Sequence, residues 1–123
     1  EEQVVEYNLD GKVFRSISNT RNGDVGSDTL FRYRQTADIV TADYSGGRIV
    51  RGHLIARVMP DGRLDMRYHH LNDAGDLMVG TCISTPARLP DGRLRFREEW
   101  QWLSADRSSG SSEIEELEPW RAA

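Results

Sequence analysis

Cysteine and lysine are almost missing from this sequence: Cys82 and Lys12 stand alone among 123 residues. A single thiol excludes an intrachain disulfide, so the chain has no need of an oxidising compartment and the cytoplasm is its expected location. Long apolar runs are missing too. Nothing approaches the roughly 18 consecutive apolar residues of a membrane-spanning helix, and no membrane partner is expected. Nor is there an excess of positive charge. The formal charge of −4, with arginine supplying nearly all the cations, argues against the basic face of a general nucleic-acid binder. No HExxH or CxxC spacing offers a metal site, and no GxxxxGK[ST] loop or strand-GxGxxG-helix unit cradles a phosphate. There is no GxSxG elbow, and Cys82 has no neighbouring base in sequence. Neither a cofactor nor a metal is therefore expected, and no residue is assigned a catalytic role. Glu1 opens the chain in place of Met, with no basic or apolar leader region after it, which leaves open a signal removed ahead of it.

What the sequence does contain is turn punctuation. Asp10-Gly11, Asn22-Gly23-Asp24, Ser45-Gly46-Gly47, Asp61-Gly62, Asp73-Ala74-Gly75, Asp91-Gly92 and Ser109-Gly110 recur at short intervals, and such residues tolerate the positive φ of hairpin turns. Between them lie segments rich in Val, Ile, Thr and aromatics without a sustained helical period. They predict eight strands: Lys12 to Asn19, Thr29 to Thr36, Ile39 to Tyr44, Ile49 to Met59, Arg63 to Leu71, Leu77 to Thr85, Arg93 to Leu103 and Ser112 to Leu117. The serine-rich stretch from Ser104 to Ser112 reads as a flexible hairpin connection. Pro60-Asp61-Gly62-Arg63-Leu64 returns as Pro90-Asp91-Gly92-Arg93-Leu94, the reuse of one favourable turn. Short connections force sequence neighbours to pair antiparallel. Closing the resulting meander removes its exposed edges. The fold expected is all-β, an eight-stranded antiparallel up-and-down β-barrel, with an open half-barrel as alternative. Residues 1–10 form an N-terminal extension, 11–118 one barrel domain and 119–123 a C-terminal tail.

Alternation then assigns faces. Leu94, Phe96, Glu98, Trp100 and Trp102 point inward on the seventh strand, Leu64, Met66, Tyr68 and His70 on the fifth, and Leu77, Val79, Thr81 and Ile83 on the sixth. Val50, Gly52, Leu54, Ala56 and Val58 place small residues opposite bulky ones on the fourth. Phe31, Tyr33, Val40, Ala42 and Tyr44 complete the interior. A mostly apolar interior with a few polar ends is the composition of a ligand cavity. The candidate ligand-binding residues are Tyr33, Tyr44, Tyr68, His70, Thr81, Glu98, Trp100 and Trp102. For Tyr68, Trp100 and Trp102, core packing with a satisfied polar handle competes with ligand contact. Glu98, flanked by Phe96 and Trp100, must find a partner; Tyr68, His70 or an arginine are the candidates. Adjacent strand residues leave opposite faces, so His69 and His70 cannot share a metal ion. Arg95 and Arg97 share outward parity with Glu113 and Glu115, which predicts a solvated cross-strand charge ladder rather than a phosphate site.

Tyr44-Ser45-Gly46-Gly47, Gly52-His53-Leu54, Leu64 to His70, Gly80, Ser84-Thr85-Pro86 and Trp100-Gln101-Trp102 carry a further signal. Over roughly Gly11 to Glu116 they resemble the small bacterial avidin-like, lipocalin-like barrel family whose members often bear the label N-acetylglutamate synthase. The resemblance implies the same antiparallel barrel, and that label implies acetyltransferase chemistry. It assigns no biotin contact residue by residue. The expected function is that of a small-molecule-binding barrel, its ligand a small apolar or carboxylate-bearing molecule. The alternatives are a filled barrel that self-associates through its outer face, giving a homodimer, and an enzyme with Glu98 and His70 as acid and base.

Overall fold

The computed structural model describes residues 4–117, so the tail expected at 119–123 lies outside the described residues. Eight strands run in chain order: β1 (Val13–Asn19), β2 (Leu30–Thr36), β3 (Ile39–Gly46), β4 (Ile49–Val58), β5 (Leu64–Asn72), β6 (Leu77–Arg88), β7 (Leu94–Trp102) and β8 (Ser109–Glu116). Each pairs antiparallel with its sequence neighbours, and β1 pairs with β8, so the sheet closes on itself. The half-barrel alternative is thereby removed. Part of the serine-rich stretch is strand rather than loop, because Ser109 to Ser112 pair with Glu98 to Gln101 of β7.

The repeated Pro-Asp-Gly-Arg-Leu segment builds the same turn twice. In the first copy the Gly62 amide donates to the Met59 carbonyl at 2.8 Å, Gly62 has φ +88°, and Asp61 accepts from the Arg63 amide and side chain. The second copy repeats this with Leu89, Gly92 (φ +92°), Asp91 and Arg93. The left-handed φ favours glycine at both places. Asp61 and Asp91 are held below the usual carboxylate range by these arginine and amide donors.

These turns lie at one end of the barrel, where the chain ahead of β1 packs across it. Leu9 is fully buried, the Tyr7 hydroxyl donates to the Gly62 carbonyl at 2.7 Å, and the Tyr7 ring meets Phe96 edge-on. Phe14, Phe96, Leu64, Leu94 and Ile114 fill the barrel beneath this strap. The opposite end carries the β1–β2, β3–β4, β5–β6 and β7–β8 connections and forms the mouth.

Facing follows the expected alternation except on β6 and at the start of β4. The inward residues of β6 are Met78, Gly80, Cys82 and Ser84; Leu77, Val79, Thr81 and Ile83, expected inside, face outward. Directly paired residues of an antiparallel sheet share a face. Tyr68 opposite Gly80 and Trp100 opposite Cys82 therefore bring the small residues inside. On β4 an irregularity between Ile49 and Arg51 buries Ile49 and turns Val50 out to 56 % exposure. His69 is outward and His70 inward, and Arg95 bridges to Glu115 and Glu113 across β7 and β8.

Candidate functional site

Three of the interior rings lie over glycines. Tyr44, Tyr68 and Trp100 sit directly opposite Gly52, Gly80 and Gly110 on the neighbouring strand. A Cβ built on Gly52 or Gly80 would come within 2.4 or 2.3 Å of the facing tyrosine, and one on Gly110 within 2.3 Å of the Trp100 ring. The glycines let each ring lie flat along the wall instead of crossing the barrel. A cavity of about 50 Å³ persists at the mouth, or about 470 Å³ counted out to open solvent. About 10–15 Å³ admits one water, so the cavity has room for a few waters or a small fragment.

Phe31, Leu54 and Met66 give the cavity an apolar wall, and Tyr44, Tyr68, Trp100 and Trp102 an aromatic one. Trp102 is the hub of the aromatic side. Its ring meets Tyr68 at 5.7 Å, His70 at 5.6 Å and Trp100 at 5.4 Å between centroids, all in tilted or edge-on geometry. Such offset arrangements suit the ring quadrupoles.

A chain of polar groups crosses the mouth. The Tyr44 hydroxyl lies 2.9 Å from His70 Nδ1, and His70 Nε2 lies 2.8 Å from Asp24 Oδ2. Burial lowers the His70 pKa, against the raising effect of Asp24, so the imidazole is neutral at pH 7. Nε2 carries the proton and donates to the Asp24 carboxylate, leaving Nδ1 to accept from Tyr44. Burial raises the Tyr44 and Tyr68 hydroxyls above their ordinary range, so both stay protonated.

Glu98 lies in the same cavity but in a different network. Ser84 donates to Oε2 at 2.9 Å, Ser112 to Oε1 at 3.3 Å, and the Cys82 thiol lies 3.9 Å from Oε2. None of these partners is a cation, and burial raises its pKa to about 7 in spite of them. The expected partners Tyr68, His70 and arginine are not used. Ser84 and Ser112 take their place because β6 turns Ser84 inward and β8 extends through Ser112.

The predicted site residues therefore separate. Tyr44, Tyr68, His70, Glu98, Trp100 and Trp102 converge on the mouth cavity. Tyr33 is buried but deeper, edge-on to Phe14, and is not part of the cavity lining. Thr81 faces outward between Arg67 and Gln101, a correction that follows from the facing of β6. Asp24, Asn19 and Ser112 line the cavity, and Ser84 holds Glu98 from behind it, although none was among the candidate site residues. Asp24 read only as part of an Asn-Gly-Asp turn; the signal was the length of its connection, residues 20–29, against the tight hairpins elsewhere. Among the described residues, no cluster of three or more His, Cys, Asp or Glu could hold a metal, and no helix is long and apolar enough to cross a membrane.

A closed eight-stranded meander, packed shut at one end and carrying an aromatic cavity at the other, is an up-and-down β-barrel. The sequence matches the family model described as avidin-like protein over residues 7–117, and the chain belongs to that family. No match is found among curated proteins or among solved structures.

Proposed function

We propose that the protein binds a small, partly apolar molecule in the mouth cavity, against Tyr44, Tyr68, Trp100 and Trp102, with His70 and Glu98 as polar contacts. The observation that carries this reading is the convergence of these six side chains on one cavity at the end of the barrel opposite the N-terminal strap. Membership of the avidin-like family agrees with it, since eight-stranded barrels of this type have room for one small ligand. The described residues form no helix, so the acetyltransferase alternative has no helix N-terminus here to seat a pyrophosphate.

The tryptophans report on the site. In a Trp120→Phe background, titration with indole, benzamide and benzoate is expected to shift the fluorescence of Trp100 and Trp102 saturably, and Trp100→Ala to weaken that response at least about tenfold. A panel with no saturable response, together with a crystal structure showing only water in the cavity, overturns the proposal.

A further inference from the structure

The β1–β2 connection does not project into solvent. It folds over the mouth, and Gly23, Asp24 and Val25 become part of the cavity wall. Polar anchors hold it there. The Trp102 indole N–H donates to the Asn22 carbonyl at 2.9 Å, Asn19 Nδ2 to the Val25 carbonyl at 2.9 Å, Asn22 Nδ2 to the Ser109 carbonyl at 2.8 Å, and Asp24 reaches furthest inward.

Asp24 is held as a bound ligand would be. Its Oδ2 accepts from His70 Nε2 at 2.8 Å and from Asn72 Nδ2 at 3.2 Å, and Arg48 Nη1 lies 3.6 Å from Oδ1. The His70 side chain is 1 % exposed and that of Asp24 10 %. The three donors come from the barrel, two from β5 and one from the β3–β4 turn, whereas the carboxylate comes from a loop without regular structure. Behind this seat lie the Tyr44 hydroxyl and the aromatic wall, so a group placed there would continue into an apolar space.

Building on the binding function proposed above, we infer that the natural ligand carries a carboxylate, and that this group takes the Asp24 position against His70, Asn72 and Arg48 as the β1–β2 loop swings off the mouth. Asp24 is then a tethered competitor. A group on a short flexible tether acts at an effective concentration on the order of millimolar, so only a ligand that also buries apolar surface against the rings displaces it. The loop thereby sets a threshold that free acetate does not cross and an aromatic or aliphatic acid does. The same geometry disfavours neutral isosteres, because an amide offers His70 and Arg48 a weaker acceptor than a carboxylate.

The test removes the tethered carboxylate and offers a free one. In Asp24→Ala, in the Trp120→Phe background, benzoate is expected to bind about tenfold or more tightly than to the parent, and benzamide with little change. Two-dimensional NMR of the His70 ring in Asp24→Ala is expected to move with benzoate in the direction it moves between the variant and the parent. Arg48→Ala in the Asp24→Ala background reduces the preference for benzoate over benzamide. Should Asp24→Ala fail to fold, Asp24→Asn keeps the side chain's shape and carries the same comparison. Equal binding of benzamide and benzoate overturns the carboxylate inference while leaving the cavity function standing. Silence from both ligands overturns the two together.

Discussion

Replacing Glu98 by glutamine tests the least expected electrostatic feature of the interior, a carboxyl group enclosed with two hydroxyls and a thiol but no cation. Burial raises its pKa from 4.5 to about 7. The folded chain therefore holds a proton that the unfolded chain releases across that interval. The stabilisation is complete below the unfolded value and is lost as pH rises through the folded one. A shift of this size corresponds to about 3 kcal/mol, at about 1.4 kcal/mol per unit. His70 acts in the opposite sense. Its pKa is lowered, so its contribution is present above the ordinary histidine value and fades as pH falls through the lowered one. Subtracting the variant from the parent cancels His70 and the surface carboxylates and leaves Glu98. The glutamine side chain keeps the shape without ever ionising: its amide oxygen accepts from one serine hydroxyl and its amide N–H donates to the other. Urea unfolding followed by tryptophan fluorescence, from pH 4.5 to 8.5, is expected to show the stability of Glu98→Gln rising relative to the parent by about 3 kcal/mol across the range. A difference that stays flat to within about 0.5 kcal/mol would refute the argument, since it would mean that Glu98 ionises in the barrel as easily as in water.

Two further outcomes follow from the packing. Gly52→Ala and Gly80→Ala each force a methyl into a tyrosine ring and are expected to cost about 1–3 kcal/mol in urea unfolding. They differ in rescue: adding Tyr44→Ala relieves Gly52→Ala, whereas Tyr68→Ala only partly relieves Gly80→Ala, because that methyl also meets the Gln101 carbonyl oxygen at 2.8 Å. Equal rescue in the two cycles would show that the β6–β7 backbone yields. The Cys82 thiol is buried and its pKa is pushed well above the ordinary value, chiefly by burial and then by Glu98. Iodoacetamide at pH 8 is expected to label it at least about 10³-fold more slowly in the folded chain than in urea, and faster labelling would expose a local opening at β6.

The barrel was legible because its punctuation was local: glycine and aspartate mark the turns, and β-branched and aromatic residues fill the runs between them. Facing was legible wherever large apolar residues alternated with charges, as on β7. It failed on β6, where Leu77, Val79 and Ile83 looked like the core row but the interior beside Tyr68, Trp100 and Trp102 had volume only for Gly80, Cys82 and Ser84. The pairing register held the answer. A hairpin centred on Ala74 sets Tyr68 against Gly80 and His70 against Met78, so the turn position alone fixes which side of β6 is inside. Asp24 was hidden for a different reason. Its role depends on a loop folding back onto residues 48, 70 and 72, and no periodicity encodes a long-range contact of that kind.

The closure of the barrel also orders its assembly in time. β1 joins its sequence neighbour β2 only through Val13 to Arg15, whereas its ladder with β8 runs from Phe14 to Asn19. The first strand is thus fastened mainly to the last, across nearly the whole chain, and contacts of such high sequence separation slow folding. During synthesis, β2 to β7 can zip hairpin by hairpin as they emerge, but β1 has to wait for Ser112 to Glu116 to leave the ribosome. Ser112, which completes the hydroxyl pair around Glu98, arrives with that final strand. The cavity is therefore the last part of the molecule to exist, and a chain cut short before β8 would hold its tryptophans on an open sheet with no pocket to share.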